Sequence, residues 1–214
     1  MTGSPPAGRE GPPSVLVVCT GNICRSPAAE LLLRAGLDGT GIEVSSAGVH
    51  AQVGAPVAAP MARLLRDRSV DPDGFTARQV DPAVLRRTDL VVTMTADQRS
   101  AVVSRAPAVL QRTFTLVEFA DLTRLAVGRL DPGSPAERLA ALVQAAPRAR
   151  ALRRGGRDLD DVEDPYRRPD EVFARVLGRI EAAVDELLAA IRPVAAARDG
   201  VATDGITRSV GPFG

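Results

Sequence analysis

The chain has 214 residues, 45% hydrophobic and only 3% aromatic, so it can bury a sizeable core built of Ala, Val and Leu. A net charge of +1, with all 27 basic residues Arg, supplies no bulk field for nucleic acid or an anionic membrane surface. Two cysteines and one histidine exclude a disulfide framework and a Cys/His zinc site.

Residues 1–13 are rich in Gly, Pro and Ser and read as a disordered tail without an apolar signal core. No stretch is apolar enough to span a bilayer, so a cytoplasmic protein is expected, in a compartment that keeps thiols reduced. Val15–Cys19 is apolar throughout, as in a parallel strand buried on both faces. A tight loop follows, then a helix from Pro27 to Ala35 with Ser26 as N-cap and Gly36 as stop. Ile42–Ser45 reads as a second strand leading into a Ser46-Ala47-Gly48 turn, and Pro56–Val70 as a helix. Asp81–Arg87 gives a helical turn or two, Asp89–Met94 a strand, Ala96–Ser104 a helix and Arg112–Leu116 another strand. Strands alternating with helices predict an α/β fold of βαβ units around a parallel sheet.

The organisation then changes. Helices are predicted over Glu118–Val127 and Ala136–Ala146, and Arg148, Arg150, Arg153, Arg154 and Arg157 form a basic run broken by Gly155-Gly156. The run reads either as a solvated flap or as a lid or docking surface for a phosphoprotein. Pro165 and Pro169 rule out a continuous helix after Asp158, which leaves Asp164 on a rigid loop. Phe173, Val176, Leu177, Ile180, Val184, Leu187 and Ile191 recur at helical spacing, predicting an amphipathic helix over Asp170–Ile191. Residues 193–214 lack periodicity and read as a second disordered tail, so the domain is placed at 14–192.

The chemistry gathers at Cys19-Thr20-Gly21-Asn22-Ile23-Cys24-Arg25-Ser26-Pro27. A loop between a strand and a helix N-terminus presents unpaired N–H groups and a positive dipole end, which favour an anion. Gly21 permits the angles of an anion nest, and Asn22 tolerates the left-handed region. Arg25 adds a planar fork for two phosphate oxygens, and the same field stabilises a Cys19 thiolate aimed at phosphorus. Cys-x5-Arg-Ser is the phosphate loop of cysteine-dependent phosphatases, and the full string closely resembles the low-molecular-weight protein tyrosine phosphatase family, bacterial type.

A second match strengthens the resemblance. Expelling an alkoxide or phenoxide requires a proton donor over the loop, and Asp164-Pro165-Tyr166 is similar to the family's general-acid motif. Asp160, Asp161 and Glu163 are the competing carboxylates. The resemblance covers roughly 14–119 and 160–191, leaving an expanded region, about 121–158, outside it. It implies a four-stranded parallel sheet flanked by helices, a cysteinyl-phosphate intermediate, and no metal or cofactor. Cys19 would be the nucleophile, with Arg25 and the backbone of residues 20–25 holding the phosphoryl oxygens. Thr20, Gly21, Asn22, Ile23, Cys24, Ser26 and Tyr166 would line the substrate site, Ser26 donating to the thiolate and Asn22 bracing the loop. Cys24 resembles the family's neighbouring cysteine, able to trap oxidised Cys19 as a disulfide. Arg167 stands where some relatives carry a second aromatic residue, which gives a more basic rim. His50 as a base for Cys19 is the weaker reading beside a solvated loop histidine.

The resemblance implies a monomeric tyrosine phosphatase acting on tyrosine-phosphorylated proteins, a bacterial tyrosine kinase among them. Three other functions share the loop. Arginine phosphatases of the family carry Thr at the position of Ile23, an apolar residue better suited to an aryl ester. Arsenate reduction would need an external thiol, since no cysteine follows Cys24. A silent phosphoprotein-binding module would have no use for an acid at Asp164.

Overall fold

The structure, a computed structural model, describes residues 11–150, 152–153 and 160–192. The predicted tails lie outside it except for residues 11–13, as do Arg154, Gly155, Gly156 and Arg157 of the basic run. Four parallel strands form one sheet, ordered β2-β1-β3-β4 and comprising β1 (Ser14–Cys19), β2 (Glu43–Gly48), β3 (Leu90–Thr93) and β4 (Thr113–Thr115). Helices α1 (Arg25–Gly36), α2 (Ala59–Arg66), α3 (Pro82–Arg87) and α4 (Ala96–Arg105) connect the strands, together with a 3-10 turn, Pro107–Arg112. After β4 come α5 (Leu116–Ala126), α6 (Pro135–Arg150) and α7 (Asp170–Ile191). The α/β architecture and four-stranded parallel sheet expected from the sequence are therefore present.

Alternation along β1 divides the core. Val15, Val17 and Cys19 point to the face covered by α1, α2, α5, α6 and α7, while Leu16 and Val18 meet Leu85, Val102 and Val109 on the other side. Cys19 thus ends a central strand on the crowded face, where α1 begins.

Three boundaries differ from expectation for physical reasons. The helix predicted over Pro56–Val70 is confined to Ala59–Arg66, because Ala58 is extended before it and Ser69 is left-handed, with φ 59°, after it. β2 continues through the predicted Ser-Ala-Gly turn, since Ser46, Ala47 and Gly48 pair with Val17, Val18 and Cys19. α6 runs past Ala146 and through Pro147 to Arg150, its last turn held by buried Ala149 and by Arg150, whose guanidinium forks onto Glu118.

Candidate active site

The residues of the predicted loop gather at the C-terminal end of β1. Helix α1 starts at Arg25, one residue before the expected N-cap, and Ser26 does not cap it. Its hydroxyl is instead turned into the loop, 2.9 Å from Cys19 Sγ and 2.9 Å from Asn22 Nδ2. Asn22, not Gly21, takes the left-handed conformation, with φ 55°. That turn lets the Asn22 N–H reach back to Cys19 Sγ at 3.2 Å.

The proton directions follow from the acceptors. Asn22 Oδ1 accepts from the Arg78 backbone N–H at 2.8 Å, so its Nδ2 is the donor to Ser26 Oγ and, at 2.7 Å, to Ser46 Oγ. Ser46 in turn donates to the Glu30 carboxylate at 2.6 Å. Ser26, already an acceptor, is left to donate to the sulfur. A buried relay therefore runs from Glu30 through Ser46, Asn22 and Ser26 to Cys19, every member buried. Arg78 and Arg34, at 3.6 and 3.4 Å from Glu30 Oε1, supply its positive partners.

The loop is also pinned from outside. Thr20 Oγ1 accepts from Gln98 Nε2 at 3.0 Å, and the carbonyls of Thr20 and Gly21 accept from the N–H groups of His50 and Gln52. Gly48 has to be glycine, because a Cβ there would lie 2.5 Å from the Thr20 carbonyl oxygen.

Over this loop comes the segment carrying Asp164. Arg25, 4% exposed, pairs its Nη2 with Asp164 Oδ2 and donates from Nη1 to the Val162 carbonyl at 3.1 Å; its Nε is buried and unpaired. The three competing carboxylates are occupied elsewhere. Asp160 is buried against Arg153, Asp161 accepts the N–H of Ala96 at the start of α4, and Glu163 pairs with Arg175 on the surface, which holds its carboxyl below the usual range. Of the four, Asp164 alone lines the pocket with Cys19.

That pocket, about 170 Å³, is walled by Cys19, Thr20, Gly21, Ile23, Cys24, Arg25, His50, Gln52, Asp164 and Tyr166. Tyr166 is 42% exposed and carries the Arg167 guanidinium 5.2 Å from its ring centroid, so the basic rim takes the form of a cation on the aromatic wall. Burial, reinforced by Cys19 and Asp164, pushes the Cys24 thiol up to about 12. A shallower groove, about 680 Å³, lies at the outer edge of β2 and has no cysteine among its lining residues.

Sequence reading missed the supporting residues Glu30, Ser46, Arg78 and Gln98. One signal was available: Glu30 is four residues after Ser26, on the helical face of Ala29 and Leu33, where an unpartnered carboxylate would be costly.

The site thus places a cysteine at the foot of an arginine-walled pocket, at the end of the first strand of a parallel sheet. Residues 14–138 match the family described as low molecular weight phosphotyrosine protein phosphatase. The chain is 30% identical over 173 residues to the low molecular weight protein-tyrosine-phosphatase Etp of Escherichia coli (strain K12), covering 81% of this chain and 90% of that one. It is 33% identical over 108 residues to a protein-arginine-phosphatase of Geobacillus stearothermophilus, covering 50% and 72%. Among solved structures, the low molecular weight protein tyrosine phosphatase from T. tengcongensis superimposes with a TM-score of 0.62 at 28% identity, covering 82% of this chain and 97% of that one. The chain belongs to the low molecular weight phosphotyrosine protein phosphatase family.

Proposed function

We propose that the protein hydrolyses phosphotyrosine in proteins through a cysteinyl-phosphate intermediate, with Cys19 as nucleophile and Asp164 as general acid, then base. The carrying observation is one pocket that unites a hydrogen-bonded thiol, an arginine with a buried unpaired Nε, and one exposed carboxylate. In the first step the Cys19–phosphorus bond forms and the phosphorus–phenolic oxygen bond breaks. Asp164 gives its proton to the leaving oxygen. Arg25 holds two equatorial oxygens with Nε and Nη2, the substrate replacing Asp164 at Nη2, while N–H groups at the start of α1 hold the third. In the second step Asp164 takes a proton from water, which attacks phosphorus and returns inorganic phosphate and the thiolate.

Two wall residues favour an aryl ester. Ile23 offers an apolar surface, and the Tyr166 ring already carries the cation of Arg167, so a phosphoarginine guanidinium would meet like charge there. We assign Cys24 the role of resolving thiol: with Cys19 oxidised to the sulfenic acid, Cys24 sulfur attacks it, forming the disulfide and releasing water.

The test is turnover of phosphotyrosine, phosphoserine and phosphoarginine peptides side by side under reducing conditions. Preference for phosphotyrosine by at least about a hundredfold is expected from an acid and walls suited to a phenol. Preference for phosphoarginine would keep the chemistry and overturn the substrate; binding of all three without turnover would leave a phosphoprotein-binding module.

A further inference from the structure

Of the basic run, read from sequence as a flap or docking surface, Arg148 stays exposed while Arg150 and Arg153 turn inward. Arg150 stacks 4.8 Å from the Phe114 ring centroid and forks onto Glu118. Arg153 goes further. Its Nη1 donates to Asp160 Oδ2 at 2.6 Å, its Nη2 pairs with Asp160 Oδ1, and Nε and Nη2 reach Asp121 Oδ2 at 3.2 and 2.7 Å. The Arg153 and Asp160 side chains are only 11% and 5% exposed. Both residues lie beyond the 14–138 segment that matches the family.

Asp160 begins the segment that carries the acid. From it the chain is fastened at successive residues: Asp161 to the Ala96 N–H, Val162 through its own N–H to the Met94 carbonyl and through its carbonyl to Arg25, then Glu163 to Arg175. Asp164 follows directly. We propose that Arg153 is a positioning residue for the general acid: by neutralising buried Asp160 and tying it to Asp121 on α5, it fixes the origin of the loop that delivers Asp164. Removing it leaves a desolvated carboxylate without its bidentate partner, a condition relieved by protonation or by moving Asp160 toward water, and either loosens its hold on the loop. Four residues downstream, a displacement of about 1 Å is enough to spoil proton delivery. The strong attachment of Arg153 to Asp160 also raises the guanidinium's affinity for its proton, so the clamp stays charged.

This rests on Asp164 being the acid, and the experiment separates the two. Turnover is measured on a phosphotyrosine peptide, whose leaving group needs protonation, and on a nitrophenyl-type ester, whose leaving group does not. Asp164→Asn is expected to lose about a hundredfold on the first and much less on the second. Arg153→Ala should copy that pattern in part, losing about tenfold on the peptide and under about threefold on the activated ester. Asp160→Asn, which keeps the side-chain shape and guards against a fold defect, should do the same, and Arg153→Lys should recover part of the loss. The Arg153→Ala/Asp164→Asn double variant should be no slower on the peptide than Asp164→Asn alone. If Asp164→Asn is selective but Arg153→Ala slows both esters equally, or neither, the positioning role is overturned and the acid stands. If Asp164→Asn is itself unselective, the acid reading falls and the Arg153 proposal with it.

Discussion

In the proposed mechanism, attack on phosphorus needs a sulfur that is aimed and charged, and the groups around Cys19 are arranged to divide that work. The Asn22 N–H and Ser26 hydroxyl fix the sulfur's lone pairs, and the buried Glu30 end of the relay fixes which way every hydroxyl proton points. Cys19→Ser should lower phosphotyrosine turnover at least about a thousandfold while calorimetry still detects inorganic phosphate binding, since the cradle is unchanged. Turnover within a few fold of wild type would place the nucleophile elsewhere. Cys24 gives a pH-dependent prediction. With its thiol pushed up to about 12, the reactive thiolate is scarce at neutral pH and rises about tenfold per pH unit up to that value. After one equivalent of peroxide, closure of the Cys19–Cys24 disulfide should therefore accelerate steeply between pH 7 and pH 9, read as loss of free thiol by mass spectrometry. In Cys24→Ser no intramolecular disulfide should form, and reductant should recover less activity after excess peroxide. A closure rate independent of pH would argue against attack by a buried Cys24 thiol.

Not every helix end in this protein is satisfied locally. α7 has no basic residue in its last turn, and Arg138 of α6, 7% exposed, donates from Nε to the Ala190 carbonyl at 2.6 Å. Arg138→Ala should cost about 2 kcal/mol, the value of a buried charge-assisted bond to an orphan carbonyl, measured as a lower urea midpoint at unchanged slope. A shift under about 0.5 kcal/mol would show that water replaces the guanidinium fully. Such long-range satisfaction explains what could be read from the sequence. Strand β1, the loop and α7 carry their patterns locally, in an apolar run, a fixed spacing and a period of 3.6, and all three are where the sequence predicts them. Ser26 was misassigned as an N-cap because local chemistry cannot reveal a sulfur seven residues back in the chain as the competing partner. The Pro56–Val70 helix is shorter than its pattern predicts because Ala58 is extended at one end and Ser69 turns left-handed, with φ 59°, at the other. The arginine run was equally opaque, since its partners Glu118, Asp121 and Asp160 are matched to it only by folding.

The sheet divides the interior unequally, and that asymmetry bears on both stability and chemistry. One face carries α1, α2, α5, α6 and α7, with Leu177 of α7 fully buried among them; the other carries α3, α4 and the 3-10 turn, with Leu85 of α3 fully buried. Cys19 and the start of α1 belong to the thicker side, so the phosphate loop rests on the part of the protein least able to shift. α7 packs on α1, α2, α5 and α6 at once, which leaves a truncated Leu177 little freedom to collapse its cavity, whereas α3 is a six-residue helix with few neighbours. Leu177→Ala should therefore cost about 4–5 kcal/mol and Leu85→Ala about 2–3 kcal/mol, the opposite ends of the range for leucine deletion. Urea unfolding of both variants, followed by phosphotyrosine turnover under conditions where each is folded, tests this. The Leu177 variant should also lose catalytic rate, because α7 packs on α1, the helix that supplies Arg25, while the Leu85 variant keeps its rate. Equal destabilisation would show that the two faces collapse alike, and a rate loss confined to Leu85→Ala would mean that the thinner face supports the phosphate loop.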